Sequence, residues 1–144
     1  CYTYGPTVTP TNSRADAQFL RRALAGEDIV LKSAGSQVRS YCYAADAASA
    51  LLTLLLSGAS GEAYNVANRG SVASIREYAE TLARLAGVRV TFDLPTDAER
   101  QGYSAVTRAV QRPDKLEALG WRPRFSLEEG LEHTLKILSG EALK

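Results

Sequence analysis

Two Ser-x-x-Glu sequences constrain this chain more than any other local feature. Ser74 with Glu77 and Ser126 with Glu129 each form a capping box. The serine oxygen accepts from the third helical amide and the glutamate reaches back to the amide of the cap. Each pair therefore marks a helix start. Behind the first, Ile75, Tyr78, Ala79, Leu82 and Leu85 recur at helical spacing, and Gly87 ends the run. Behind the second, Leu127, Leu131, Leu135 and Leu138 form an apolar stripe. Two amphipathic helices with one apolar face each must be covered, and short strand-like runs lie between and before them.

Those runs are "CYTYGP", closed by a Gly-Pro turn, then "DIVLK", "QVRSYCY", "EAYNVAN" and "VRVTF". Ser13, with Asp16 three residues on, predicts a helix over 14–25, with Ala15, Phe19, Leu20, Ala23 and Leu24 on one face. Asp46 reads as the N-cap of "AASALLTLLLSG". That helix is apolar nearly all round and so predicts deep burial. "PDKLEALG" is a short helix with Pro113 in its first turn and Gly120 after its end. The polar segment 94–112 carries no assignable pattern. Strands alternating with about five helices, without an internal repeat, give an α/β chain and a single domain over residues 1–144.

Charge narrows the partners. A formal net charge of +1 over 144 residues points to neither nucleic acid nor an anionic membrane surface. The apolar run 51–56 is far too short to cross a bilayer. Cys1 and Cys42 are too few for a disulfide framework, so reduced thiols in the cytoplasm are expected. One histidine, His133, and two distant cysteines make no metal site. His133 lies one position off the leucine stripe, which predicts an exposed helical histidine. Trp121 reads as packing beneath the last helix.

Four segments occur in order: "YGP", "FLRRALAGEDIVLKSAGSQVRSYCYAAD", "GEAYNVAN" and "KLEALGWRPRFSLEEGL". Together they resemble the C-terminal half of the NAD-dependent epimerase/dehydratase family, the extended short-chain dehydrogenase/reductases. Each segment alone is weak; their order and spacing across nearly the whole chain carry the resemblance. It implies the substrate-binding part of a Rossmann-type fold, with NAD or NADP held by an N-terminal part and a nucleotide-diphosphate sugar held here. In such enzymes a sugar carbon gives hydride to the nicotinamide while a Y-x-x-x-K tyrosine takes the proton. No tyrosine of this chain has a lysine four residues later, and no glycine-rich dinucleotide fingerprint is present. Gly58-x-x-Gly61 comes nearest, with Tyr64 where the next glycine belongs. The chain opens at Cys1 and contains no methionine. The expectation is therefore a C-terminal segment of a longer polypeptide, binding no cofactor alone and inactive alone. Such a segment would expose an apolar face, with the 51–56 helix the candidate, and self-associate.

The resemblance also names residues. Arg39 stands in Gly35-x-Gln37-x-Arg39-Ser40-Tyr41, the stretch whose arginine contacts the nucleotide diphosphate in the family. A guanidinium suits that task because its forked donors match phosphate oxygens; a surface arginine at a strand edge is the bland alternative. Gln37 belongs to the same stretch. Arg108, with Arg112 as competitor, corresponds to a second phosphate-contacting arginine. Tyr2 departs from the family's N-x-Y-G-P, where the asparagine lies near the sugar or phosphate, so that contact does not carry over. Phe19 lies where the family's first helix approaches the nucleotide base, although core packing is the favoured role. Two alternatives remain open: a non-catalytic binding or interaction module, and a fragment of a related reductase of a small carbonyl compound.

Overall fold

The computed structural model describes residues 1–9, 11–93 and 106–141. Most of the unassigned polar segment, 94–105, lies outside them. In chain order the elements are β1 (Tyr2–Tyr4), α1 (Ala15–Leu24), β2 (Ile29–Leu31), β3 (Val38–Tyr43), α2 (Ala44–Ser57), β4 (Val72–Ser74), α3 (Ile75–Ala86), β5 (Val90–Phe92), β6 (Arg108–Ala109), α4 (Asp114–Ala118) and α5 (Leu127–Ser139). The mixed α/β class and the five α-helices among the described residues agree with the sequence.

The longest strand, β3, organises the sheet. Its C-terminal half pairs in parallel with β1, with Tyr2 opposite Tyr41 and Tyr4 opposite Tyr43. Its N-terminal half pairs antiparallel with β4 and parallel with β6. The strands β2 and β5 form a separate parallel pair. Helices α1, α3 and α5 lay their apolar stripes together over Tyr4, Tyr41 and Tyr43, and Leu20, Ile29, Leu31, Leu82 and Leu131 fill the space between. Tyr78 of α3 packs edge-on against Tyr4, with ring centroids 5.8 Å apart, and tilted over Tyr41 at 4.8 Å. Both capping boxes form as predicted, and Gly87 and Gly140 close their helices in the left-handed region. Leu138, assigned to the buried stripe of α5, is exposed in its last turn.

Four local expectations are corrected. Ser13 does not cap α1: the cap position is Arg14, which has no side-chain cap bond, while the Asn12 side chain accepts from the Arg14 amide. "EAYNVAN" forms no strand. Its own asparagines tie this segment down instead: Asn65 Nδ2 donates to the Arg112 carbonyl and Asn68 Nδ2 to the Phe125 carbonyl. Helix α2 is not deeply buried. Ala50 and the partly buried Leu54 rest on Leu116 and Trp121, whereas Leu51, Leu52, Leu55 and Leu56 are 60–83% exposed. An all-apolar helix carries no periodicity to say which side the fold covers.

Asp46 is the fourth. It lies inside the first turn of α2, with Tyr43 at the cap position. Its carboxylate is 1% exposed and accepts from the backbone amides of Arg124 at 2.8 Å and Phe125 at 3.2 Å. It is thus a tertiary tie between α2 and the segment entering α5. Asp46→Ala should cost about 3 kcal/mol, because two amides that bond a charged acceptor are left without one. Asp46→Asn, which keeps one acceptor oxygen, should lose less than half of that. Urea midpoints of the two variants check this; an Ala variant within 0.5 kcal/mol of the parent, roughly the surface-substitution range, would refute the tie.

Candidate functional site

Alternation along β3 sends Arg39, Tyr41 and Tyr43 to one side and Val38, Ser40 and Cys42 to the other. Arg39 is 5% exposed. Its Nη1 donates to the Val38 carbonyl at 2.9 Å, its Nη2 to the Val106 carbonyl at 2.9 Å and its Nε to Tyr2 Oη at 3.3 Å. Among the described residues, no ion pair includes Arg39. Neutral oxygens compensate only part of the cost of taking a full charge out of water. A buried guanidinium with no carboxylate among the described residues therefore gains most from an incoming anion.

Arg39 stands at the junction of a two-part cleft. The larger compartment, about 400 Å³, is bordered by Gln18, Arg22, Lys32, Ser33 and Gln37. The smaller, about 200 Å³, is bordered by Tyr2, Arg14, Asp16, Tyr41 and Tyr78. Ala15, Phe19, Arg39 and Ile75 belong to both. Arg14, Arg22, Lys32 and Arg39 border this space; Arg14 pairs with Asp16 at 3.0 Å and Arg22 with Glu27 at 3.6 Å. Among the described residues that line it, basic groups outnumber acidic ones even though the chain as a whole is nearly neutral. The Arg14 and Arg39 guanidinium groups both lie over the Tyr2 ring, at 5.2 and 5.7 Å from its centroid. Burial, reinforced by the Asp16 charge, raises the hydroxyl pKa values of Tyr41 and Tyr78, and both stay protonated at neutral pH.

The candidates divide between cleft and surface. Arg39, Tyr2, Phe19 and Gln37 converge on the cleft. Phe19, 6% exposed, serves both as core and as the wall shared by the compartments. Arg108 is exposed and borders neither compartment. It sits in register with Val38, so alternation puts it on the face opposite Arg39. Arg112 pairs with Asp114 at 2.8 Å. Sequence reasoning missed Arg14, Arg22 and Lys32. The only signal was position: Arg14 precedes a helix start and Lys32 ends a strand, the places where side chains reach a cleft. Trp121 packs against Ala50 of α2 and Leu116 of α4 and not beneath the last helix, its Nε1 donating to Ser49 Oγ at 3.0 Å. His133 is half-buried, not exposed, with its ring edge-on to Phe125 and Tyr43.

Residues 1–67 match the sequence model of the NAD dependent epimerase/dehydratase family. Curated relatives align over almost all of the chain. UDP-glucuronic acid decarboxylase 5 of Arabidopsis thaliana is 32% identical over 133 residues, covering 90% of this chain and 36% of the relative. The chain belongs to the NAD-dependent epimerase/dehydratase family. The dTDP-D-glucose 4,6-dehydratase of Mus musculus is 27% identical over 143 residues, with 92% of this chain and 38% of that enzyme covered. Among solved structures, the UDP-glucose 4-epimerase of Thermotoga maritima with UDP-glucose superposes at a TM-score of 0.78 and 27% identity, covering 94% of this chain and 42% of that one. RMD from Pseudomonas aeruginosa complexed with NADPH gives 0.75 and 26%, covering 96% and 46%. The chain thus spans less than half the length of these proteins.

A family dinucleotide needs a glycine turn that feeds a helix N-terminus, where free amides and the positive end of the dipole meet the pyrophosphate. In this chain Gly58 closes α2 at its other end, and its amide donates to the Leu54 carbonyl at 2.8 Å. A helix C-terminus presents carbonyls and negative charge. Gly58 therefore does not open a phosphate-binding turn.

Proposed function

We propose that this chain is the nucleotide-sugar-binding part of an NAD(P)-dependent epimerase or dehydratase that acts on a nucleotide-diphosphate sugar. One observation carries the reading: Arg39 is buried at the junction of a two-part cleft lined by basic side chains, with no carboxylate partner among the described residues. A ligand with an anionic centre and two neutral flanks matches that shape. Arg39 would take the diphosphate through charge-assisted forked bonds. Arg14 and Lys32 add attraction from either side, and Phe19 supplies an apolar wall. The UDP-glucose of the Thermotoga maritima structure and the UDP- and dTDP-sugars in the relatives' names support this substrate class. Self-association through the exposed leucines of α2 belongs to the same reading.

The chain should bind but not turn over. Calorimetric titration of the 144-residue protein with UDP, dTDP and GDP is expected to give saturable binding, weakened by salt because the contact is ionic. The same protein with UDP-glucose or UDP-glucuronic acid and NAD is expected to give no nicotinamide absorbance change and no altered sugar. Clear turnover would show that the proton-transferring group lies within this chain. Absence of nucleotide binding would remove the reading of the cleft.

A further inference from the structure

The cleft contains a polar atom that the chain leaves without a partner. Gln37 borders the larger compartment, and its side-chain oxygen is shut off from solvent with no hydrogen-bond donor. Its backbone carbonyl is engaged, accepting from the Ile75 amide at 3.0 Å, which pins the residue at the foot of β3. Buried polar side-chain atoms are nearly always paired, so an orphan beside a cavity asks for a partner from the cavity. Gln37 stands two residues before Arg39. In extended backbone such residues point to the same side, roughly 7 Å apart. A ligand anchored at Arg39 therefore passes Gln37 with the part adjoining its anionic centre. The larger compartment suits the bulkier flank of a nucleotide-diphosphate sugar, which is the nucleoside.

We propose that Gln37 is a specificity-determining residue: its amide oxygen turns into the larger compartment and accepts a hydrogen bond from the nucleoside. The proposal rests on the reading of the cleft as a nucleotide-diphosphate site. An uncharged acceptor is what this place requires, because a carboxylate two residues from Arg39 would repel the diphosphate. Two donors share the chemistry, the imide N–H of a uracil-type base and a ribose hydroxyl. Turning the amide outward ends the isolation of its oxygen, so the gain appears only when a donor is present.

The test is calorimetry on the 144-residue chain with pyrophosphate, UDP, 2′-deoxy-UDP and CDP. Gln37→Met preserves the side-chain length and removes the acceptor. It should weaken UDP about five- to tenfold, the effect of one neutral hydrogen bond, and leave pyrophosphate unchanged. If the base N–H is the donor, the parent prefers UDP to CDP and Gln37→Met does not. If the 2′-hydroxyl is the donor, the lost preference is that for UDP over 2′-deoxy-UDP. Gln37→Asn, which withdraws the oxygen by one methylene, should reproduce the UDP-selective loss in a variant that stays polar. UDP affinity at the parent level in both variants overturns the role of Gln37. Pyrophosphate reports on the underlying reading separately, because its binding should depend on Arg39 and not on Gln37. Pyrophosphate binding that survives Arg39→Ala, or no binding by the parent at all, overturns both.

Discussion

Arg39→Ala should reduce the affinity for UDP and for pyrophosphate by roughly 30- to 150-fold, the equivalent of about 2–3 kcal/mol for hydrogen bonds to a charged group. The fold itself should tolerate the change. Arg39 is buried against neutral acceptors, the Val38 and Val106 carbonyls and the Tyr2 hydroxyl. Removing it also removes a desolvated charge, so the two stability effects oppose each other. Binding should therefore fall far more than the unfolding midpoint. Arg39→Lys keeps the charge but loses the fork, and should lie between Ala and the parent. Calorimetry at two salt concentrations, beside a thermal melt, measures both quantities. An Ala variant that binds UDP within threefold of the parent, well inside the effect of even one neutral hydrogen bond, would remove Arg39 from the site.

Gly130→Ala should lower stability by about 3 kcal/mol, the reverse of what a helix-interior glycine ordinarily does. In an exposed helix, alanine for glycine stabilises by about 1 kcal/mol. Here the glycine lets α5 settle directly onto Tyr4. A β-carbon at position 130 would stand 2.2 Å from Tyr4 Oη, 2.9 Å from Cζ and 3.1 Å from Cε2. Tyr4 has no room to retreat. It is 4% exposed, it packs against Tyr41, Tyr43 and Tyr78, and its hydroxyl donates to the Leu127 carbonyl at 3.2 Å. Either the helix lifts or the ring shifts, and forced repacking of a close-packed core typically costs 1–3 kcal/mol or more. For a domain of this size that corresponds to a fall of roughly 6–12 °C in melting temperature. Tyr4→Phe in the Gly130→Ala background should recover part of the loss, since the nearest clashing atom is the hydroxyl oxygen. A Gly130→Ala protein as stable as the parent would show that α5 does not seat on Tyr4.

Where sequence and structure agree, the information is local. Ser74 with Glu77, and Ser126 with Glu129, complete their hydrogen bonds within four consecutive residues, so the pattern contains the whole interaction. The apolar stripe of α3 and the closing Gly87 are equally self-contained. Arg39 was legible as a candidate because its neighbours Gly35, Gln37, Ser40 and Tyr41 form a contiguous stretch. Arg108 was a weaker match in a loosely patterned segment, and β6 pairs it on the far side of β3.

Apart from the α1 cap, where Asn12 takes the place expected for Ser13, the main disagreements involve partners distant in the chain. An aspartate ahead of an apolar run looks the same whether it caps its own helix or accepts from Arg124 and Phe125, 78 and 79 residues away. Gly130 looks like a mild defect in a helix until Tyr4 arrives beneath it. The α2 leucines look like core until the fold covers only one side of the helix. The convergence of Arg14, Arg22, Lys32 and Arg39 on one cleft is invisible in a chain whose net charge is +1. The sequence by itself determined the α/β class and the starts of α3 and α5, and singled out Arg39 as a candidate, because backbone hydrogen bonding and side-chain periodicity act over a few residues. Only the tertiary structure decided that Arg39 is buried without a counter-charge among the described residues, that Gln37 holds an unpaired oxygen beside the cleft, and that Asp46 ties helices instead of capping one. Burial and pairing depend on which distant surfaces the packed helices and sheet bring into contact.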